Sequence, residues 1–117
     1  MIFHTNTKPV PQNQKLKRGA NKQVYLSKPF REIWFAIYQE WLSQYNRKEY
    51  IAFKSEVPLE VNIEFSWNRY DVDSLIKPIL DNLQGIAYSN DKQVVKVTCE
   101  KMVSNEHRLI VYVKKYI

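Results

Sequence analysis

One cysteine, two glycines and no apolar run long enough to cross a bilayer set the first limits on this chain of 117 residues. A lone thiol cannot close an internal disulfide, and without a recognisable signal peptide the expected location is cytoplasmic. Two glycines leave no material for a glycine-rich phosphate loop. The two histidines, His4 and His107, do not combine with Cys99 at any zinc-binding spacing, so zinc is not expected. Nor do they suggest a Ser-His-Asp arrangement, and both read as surface or strand-end residues. Acidic side chains are missing altogether from residues 1–31, which carry seven basic ones. The rest of the chain holds eleven basic and twelve acidic residues, so the net charge of +6 belongs to the N-terminal quarter.

What is present is an ordered, single-domain composition. Sixteen aromatic residues, eight of them tyrosine, argue against disorder, and the length suits one hydrophobic core over residues 1–117. The basic segment can track a phosphate backbone, with an affinity that falls as salt rises, or it can simply stay solvated. Lys15, Lys17, Arg18 and Lys22 are the candidate DNA contacts there, with Arg69 further along.

The patterning predicts an α+β domain in the order β-β-α-β-α-β-β, with two helices on a mixed or antiparallel sheet. Ile2–Thr5 is a first short strand ended by Pro9 and Pro11. Residues 12–22 are polar and basic with Gly19, and are expected to form a mobile basic loop. Val24-Tyr25-Leu26 reads as a second strand. Ser27 then caps a helix with Pro29 in its first turn, whose apolar positions run Phe30, Ile33, Trp34, Ile37, Tyr38, Trp41, Leu42, Tyr45. Such an aromatic stripe reads as core rather than as a stacking platform. Leu59 to Trp67 alternates strictly, as a half-buried strand does. A helix predicted from Asp73 or Ser74 to Gly85 puts Lys77 and Asp81 on its polar side. Asp73 joins them at i, i+4, i+8 spacing if it is helical. Pro78 strains that assignment and favours a later start. Residues 93–100 and 109–113 are strands that could pair as a hairpin. Cys99, inside an apolar alternation, reads as a core residue.

The acids carry the chemistry. Asp71, Asp73, Asp81 and Asp91 place four of the twelve carboxylates in one short window, with Lys77 among them. Like charges gathered this way gain nothing from folding alone. Magnesium, which takes oxygen ligands, supplies a reason to gather them. Asp71 and Asp73, if extended, point to one side about 7 Å apart, a span that one or two ions could bridge, and Asp91 could close the site from the loop after the helix. Such ions can activate a water and stabilise the leaving oxygen of a phosphodiester. Lys77 could stabilise developing negative charge or hold the phosphate. Asp81 is either a ligand or the group that orients Lys77. The bland alternative is a capped, solvated helix face with an ordinary Lys77–Asp81 pair, and spacing alone does not decide between them.

Asp71-x-Asp73-x-x-x-Lys77-x-x-x-Asp81-x-Leu83, followed by Asn90-Asp91-x-Gln93-Val94-Val95 and Lys101, resembles the RusA family of Holliday junction resolvases of bacteria and their phages. The resemblance is strongest over residues 69–101. The segment Pro9-Val10-Pro11, and Tyr25-Leu26-Ser27 before the long helix, are similar in style. It implies a homodimeric, magnesium- or manganese-dependent endonuclease that binds branched DNA and nicks four-way junctions in pairs, in recombination, repair or phage DNA processing. By position, Asp71, Asp73 and Asp91 match the family's metal-binding aspartates, Lys77 its functional lysine, and Asp81 a recurrent acidic position. Ser74 stands where the family usually has asparagine, and Asn90 where it often has aspartate. The rival expectations are a metal-dependent nuclease acting on flap DNA or RNA, and a DNA-binding module without catalysis.

Overall fold

In the computed structural model, which describes residues 1–18, 24–45 and 53–117, period-two alternation builds a four-stranded mixed sheet. Its strands are β1 (Ile2–Thr5), β4 (Leu59–Phe65), β5 (Val94–Lys101) and β6 (Leu109–Lys115). A separate antiparallel ribbon pairs β2 (Leu16–Arg18) with β3 (Val24–Leu26). The helices are α1 (Lys28–Gln44) and α2 (Ile76–Leu83). This is the expected α+β order with one added strand, β2. No helix among the described residues is long and apolar enough to cross a membrane.

Residues 12–18 correct the expectation of a loop over 12–22. Gln12–Gln14 form a 3-10 turn and Leu16–Arg18 pair with β3. Polar composition did not prevent this, because the partners are backbone groups: the Ser27 N–H donates to the Lys15 carbonyl at 2.8 Å. Residues 19–22, Lys22 included, lie outside the described residues, as do the side chains of Lys17 and Arg18.

The sheet order is β1-β6-β4-β5, with β6 antiparallel to both neighbours and β5 parallel to β4. The expected β5–β6 hairpin is therefore absent, and burial explains why. Leu109, Val111 and Val113 of β6 are buried, as are Leu59, Val61, Ile63 and Phe65 of β4, so these two strands take the middle. β5 carries Lys96, Glu100 and Lys101, all exposed, and charged residues of this kind protect an open sheet edge. The route from β4 through α2 to β5 is a βαβ crossover, which pairs its strands in parallel.

Helix α1 starts as its sequence requires. Ser27 Oγ accepts from the Phe30 N–H at 3.3 Å, and Pro29 sits where no intrahelical N–H is needed. Phe30, Trp34, Ile37 and Trp41 form its buried face, and the Trp41 ring meets Phe3 of β1 at 5.9 Å. The aromatic stripe is core, where truncating a tryptophan to alanine typically costs about 3–5 kcal/mol.

Helix α2 starts two or three residues later than its sequence suggests. Asp71 to Leu75 form turns instead, with the Ser74 N–H on the Asp71 carbonyl (3.0 Å) and the Ile76 N–H on the Asp73 carbonyl (3.3 Å). The late start places Pro78 third in the helix, within the turn whose N–H groups have no intrahelical partner. Asp73 is consequently a turn residue, not the first of three residues along a helix. Gly85 follows the helix with φ 88°, a left-handed conformation that a side chain would strain.

Candidate active site

The residues leading out of β4 make a single run of turns, and the N-terminal segment is tied across them. The Tyr70 hydroxyl donates to the Pro9 carbonyl at 2.7 Å, and the Gln12 N–H donates to the Ser74 carbonyl at 2.8 Å. From the helix side, the indole of Trp34 donates to the Val10 carbonyl at 2.9 Å. Pro9-Val10-Pro11 is thus held between α1 and the acidic turn, which carries the basic segment to the acids. Lys15 extends over the Phe30 ring at 6.0 Å.

Asp71, Val72 and Asp73 are exposed on this turn. Ser74 Oγ donates to the Asp71 carbonyl at 2.7 Å, so the residue in place of asparagine closes the turn that presents Asp71. Asp71, Ser74, Arg69 and Tyr70 share a cavity of about 280 Å³ with Asn13 and Gln14. Cys99, expected in the core, is half-buried on the edge strand. Its thiol donates to the Val72 carbonyl at 3.0 Å. Burial, then the nearby Asp73 charge, push this thiol up to about 11, so it stays protonated at neutral pH.

Lys77 and Asp81, one turn apart on α2, form the expected ion pair at 2.9 Å. The same ammonium lies 2.8 Å from Asp91. The two carboxylates, Asp91 first, hold the Lys77 pKa above its ordinary range. Tyr88, buried beneath them, has its hydroxyl on the Leu80 carbonyl at 2.7 Å, and burial raises its pKa.

Asp91 owes its position to a capped 3-10 turn, Asp91–Gln93. Asn90 Oδ1 accepts from the Lys92 N–H at 2.9 Å, and Gln93 Oε1 accepts from the Asn90 N–H at 3.3 Å. The buried Gln93 amide then donates to the carbonyls of Lys54 (2.6 Å) and Val57 (3.2 Å). Gln93 is thus a positioning residue, a role that the sequence pattern alone leaves unassigned. A signal for it exists: an Asn followed three residues later by Gln is a capping-box spacing.

The donor chemistry of Asp71, Asp73 and Asp91 suits magnesium or manganese, which take carboxylate oxygens. Among the described residues, no three Asp, Glu, His or Cys side chains converge to hold an ion. Asp91 is instead engaged by Lys77, and Asp71 and Asp73 lie on the preceding turn. A cavity of about 440 Å³ is lined by Asn90, Gln93 and residues 55–58 and by none of these aspartates.

A segment flanked by Lys8 and Lys15 is strapped across a turn of exposed carboxylates, with a lysine and two more aspartates on the following helix and turn. The chain belongs to the RusA family: the family model Endodeoxyribonuclease RusA matches residues 6–114. The match extends from the N-terminal strap almost to the end of β6, well beyond the motif in residues 69–101. No curated protein matches the chain.

Proposed function

We propose that this protein is a magnesium- or manganese-dependent endonuclease that resolves four-way DNA junctions as a homodimer in the cytoplasm of a bacterial or phage-infected cell. The observation that carries the reading is the strap. Hydrogen bonds of 2.7 and 2.8 Å hold a cationic segment against the turn bearing Asp71 and Asp73, so phosphate binding and carboxylates address one substrate. Family membership sets the chemistry as DNA cleavage.

In this reading Asp71, Asp73 and Asp91 would hold the ion, which would supply an activated water and neutralise charge at the phosphate. Asp91 is paired with Lys77 and would have to give up that contact to serve as a ligand, with Asp81 still beside the ammonium. Lys77 then meets the charge that develops on the phosphate, where a positioned cation acts most strongly. Arg69, Lys15 and the other cations of the segment position the DNA through its backbone, without reading sequence. Two-fold symmetry gives a junction two related sites for its two equivalent strands.

The test is cleavage of a synthetic four-way junction beside linear duplex, flap DNA and RNA, in magnesium and in EDTA. Paired nicks in the junction that need the metal, and that Asp71→Asn removes while junction binding persists, are the expected result. Preferential cleavage of flap DNA or RNA would reassign the substrate. Binding without any metal-dependent cleavage would leave a DNA-binding module.

A further inference from the structure

Next to the acids lies a second cavity, of about 370 Å³, lined by Lys8, Trp67, Asn68, Arg69, Tyr70 and His107. Its walls are aromatic. The rings of Trp67 and His107 meet at 5.9 Å, tilted by 42°. Tyr70 is fixed by its hydroxyl on Pro9, with the Lys8 ammonium 5.8 Å from its ring centre. Trp67 is only 5% exposed, so it forms a fixed floor, and the exposed His107 and half-buried Tyr70 supply the faces open to a ligand. The lining contains two cations and no acid.

Preset aromatic faces with cations at the rim recognise a flat π-system bearing negative charge, which describes a nucleobase on its phosphate. The volume falls within the range of small-ligand sites. The position is equally specific. This cavity shares Arg69 and Tyr70 with the smaller one that contains Asp71. Trp67 precedes Asp71 by four residues, at most about 14 Å of chain, and the Tyr70 N–H on the Trp67 carbonyl (3.2 Å) folds that stretch into a turn.

We propose that the Trp67–Tyr70–His107 cavity takes one unstacked nucleobase from the strand whose phosphate lies at Asp71, with Lys8 and Arg69 on the adjoining phosphates. This rests on the DNA-cleavage reading above and adds to it a base-binding position. Unstacking is least costly where pairing is already disturbed, so the cavity favours a branch point over continuous duplex. Its stacking faces accept any base, so sequence preference would come from Asn68 at the base edge.

The test uses the full chain carrying Asp71→Asn, so that DNA is bound and not cut. Four-way junctions each carry one abasic nucleotide, stepped through the positions flanking the nick. One position is expected to weaken binding about tenfold, the usual effect of losing one stacked base. Adding His107→Ala, at an exposed site, is expected to weaken the intact junction by a similar factor and to erase the abasic effect. In parallel, a single-stranded thymidine dinucleotide is titrated while the Trp67 indole and His107 imidazole resonances are followed by NMR. Both should shift, and the same compound with one base removed should shift them less. Equal binding at every abasic position, together with equal shifts from both compounds, overturns the proposal even if Asp71-dependent cleavage is intact. If junction binding fails but the dinucleotide still moves both rings in a base-dependent way, the cavity assignment stands and the junction reading falls.

Discussion

Lys77 Nζ lies 2.8 Å from Asp91 Oδ2, an ion pair that ties the first turn of α2 to the 3-10 turn opening β5. Asp81 holds the same ammonium at 2.9 Å, so one cation serves two carboxylates. More than half of the lysine side chain is exposed, and exposed pairs contribute only about 0–1 kcal/mol to stability. Its value is therefore expected in catalysis. Lys77→Met should change the unfolding free energy in urea by no more than about 1 kcal/mol. Junction cleavage should fall by roughly 10²–10³, the usual scale for removing a charge-stabilising group. Asp81→Asn should cost less, because the lysine charge itself is retained. A large loss of stability with cleavage intact would make the pair structural.

Gln93 is the opposite case, a buried polar side chain with little freedom. Gln93→Leu leaves the carbonyls of Lys54 and Val57 and the Asn90 N–H without their partner. Unsatisfied buried groups cost about 1–3 kcal/mol, so the variant should unfold at lower denaturant. It should also cleave more slowly, because Asp91 loses its support. Unchanged stability would show that water replaces the amide.

Cys99 gives a pH prediction. Its thiol is raised to about 11 in the fold, from an ordinary 9.0, mainly by burial. Between those values the unfolded chain releases this proton while the folded one keeps it. The stabilisation is therefore complete below pH 9 and declines as pH rises towards 11. Wild type should lose more stability than Cys99→Ala over that window. Alkylation by iodoacetamide in metal-free buffer should stay slow at neutral pH until denaturant is added. Fast labelling of the folded protein at pH 7 would contradict the burial of this thiol.

The N-terminal charge should show in a salt titration. Replacing Lys15, Lys17 and Arg18 together with glutamine should weaken junction binding and flatten its dependence on salt. The log–log slope should fall by about one unit for each phosphate that these cations neutralise in the wild type. An unchanged slope would mean that these side chains stay in solvent.

Much of the molecule is legible locally. Ser27 and Pro29 announce α1, the alternation from Leu59 announces β4, and Asp71, Asp73, Lys77, Asp81 and Asp91 stand out as the candidate site. These are short-range signals, set by helical and strand periods and by capping chemistry. The start of α2 is only half legible, because Asp73 and Ser74 are good caps whereas Pro78 requires the later start that the fold takes. Strand pairing is not legible. β5 and β6 are neighbours in sequence, yet β6 lies between β1 and β4 because its buried face belongs mid-sheet and β5 tolerates an edge.

By itself, then, the sequence determined most of the elements, the basic N-terminal quarter and the candidate carboxylates, because each depends on residue type and near neighbours. The tertiary structure alone decided that Pro9 and Gln12 strap the acidic turn, that Lys77 bridges Asp81 and Asp91, and that Trp67 meets His107 beside Asp71. Apart from the Lys77–Asp81 step along one helix, these contacts join positions far apart along the chain. Only packing of the whole core sets which distant backbone and side-chain groups come within hydrogen-bonding reach.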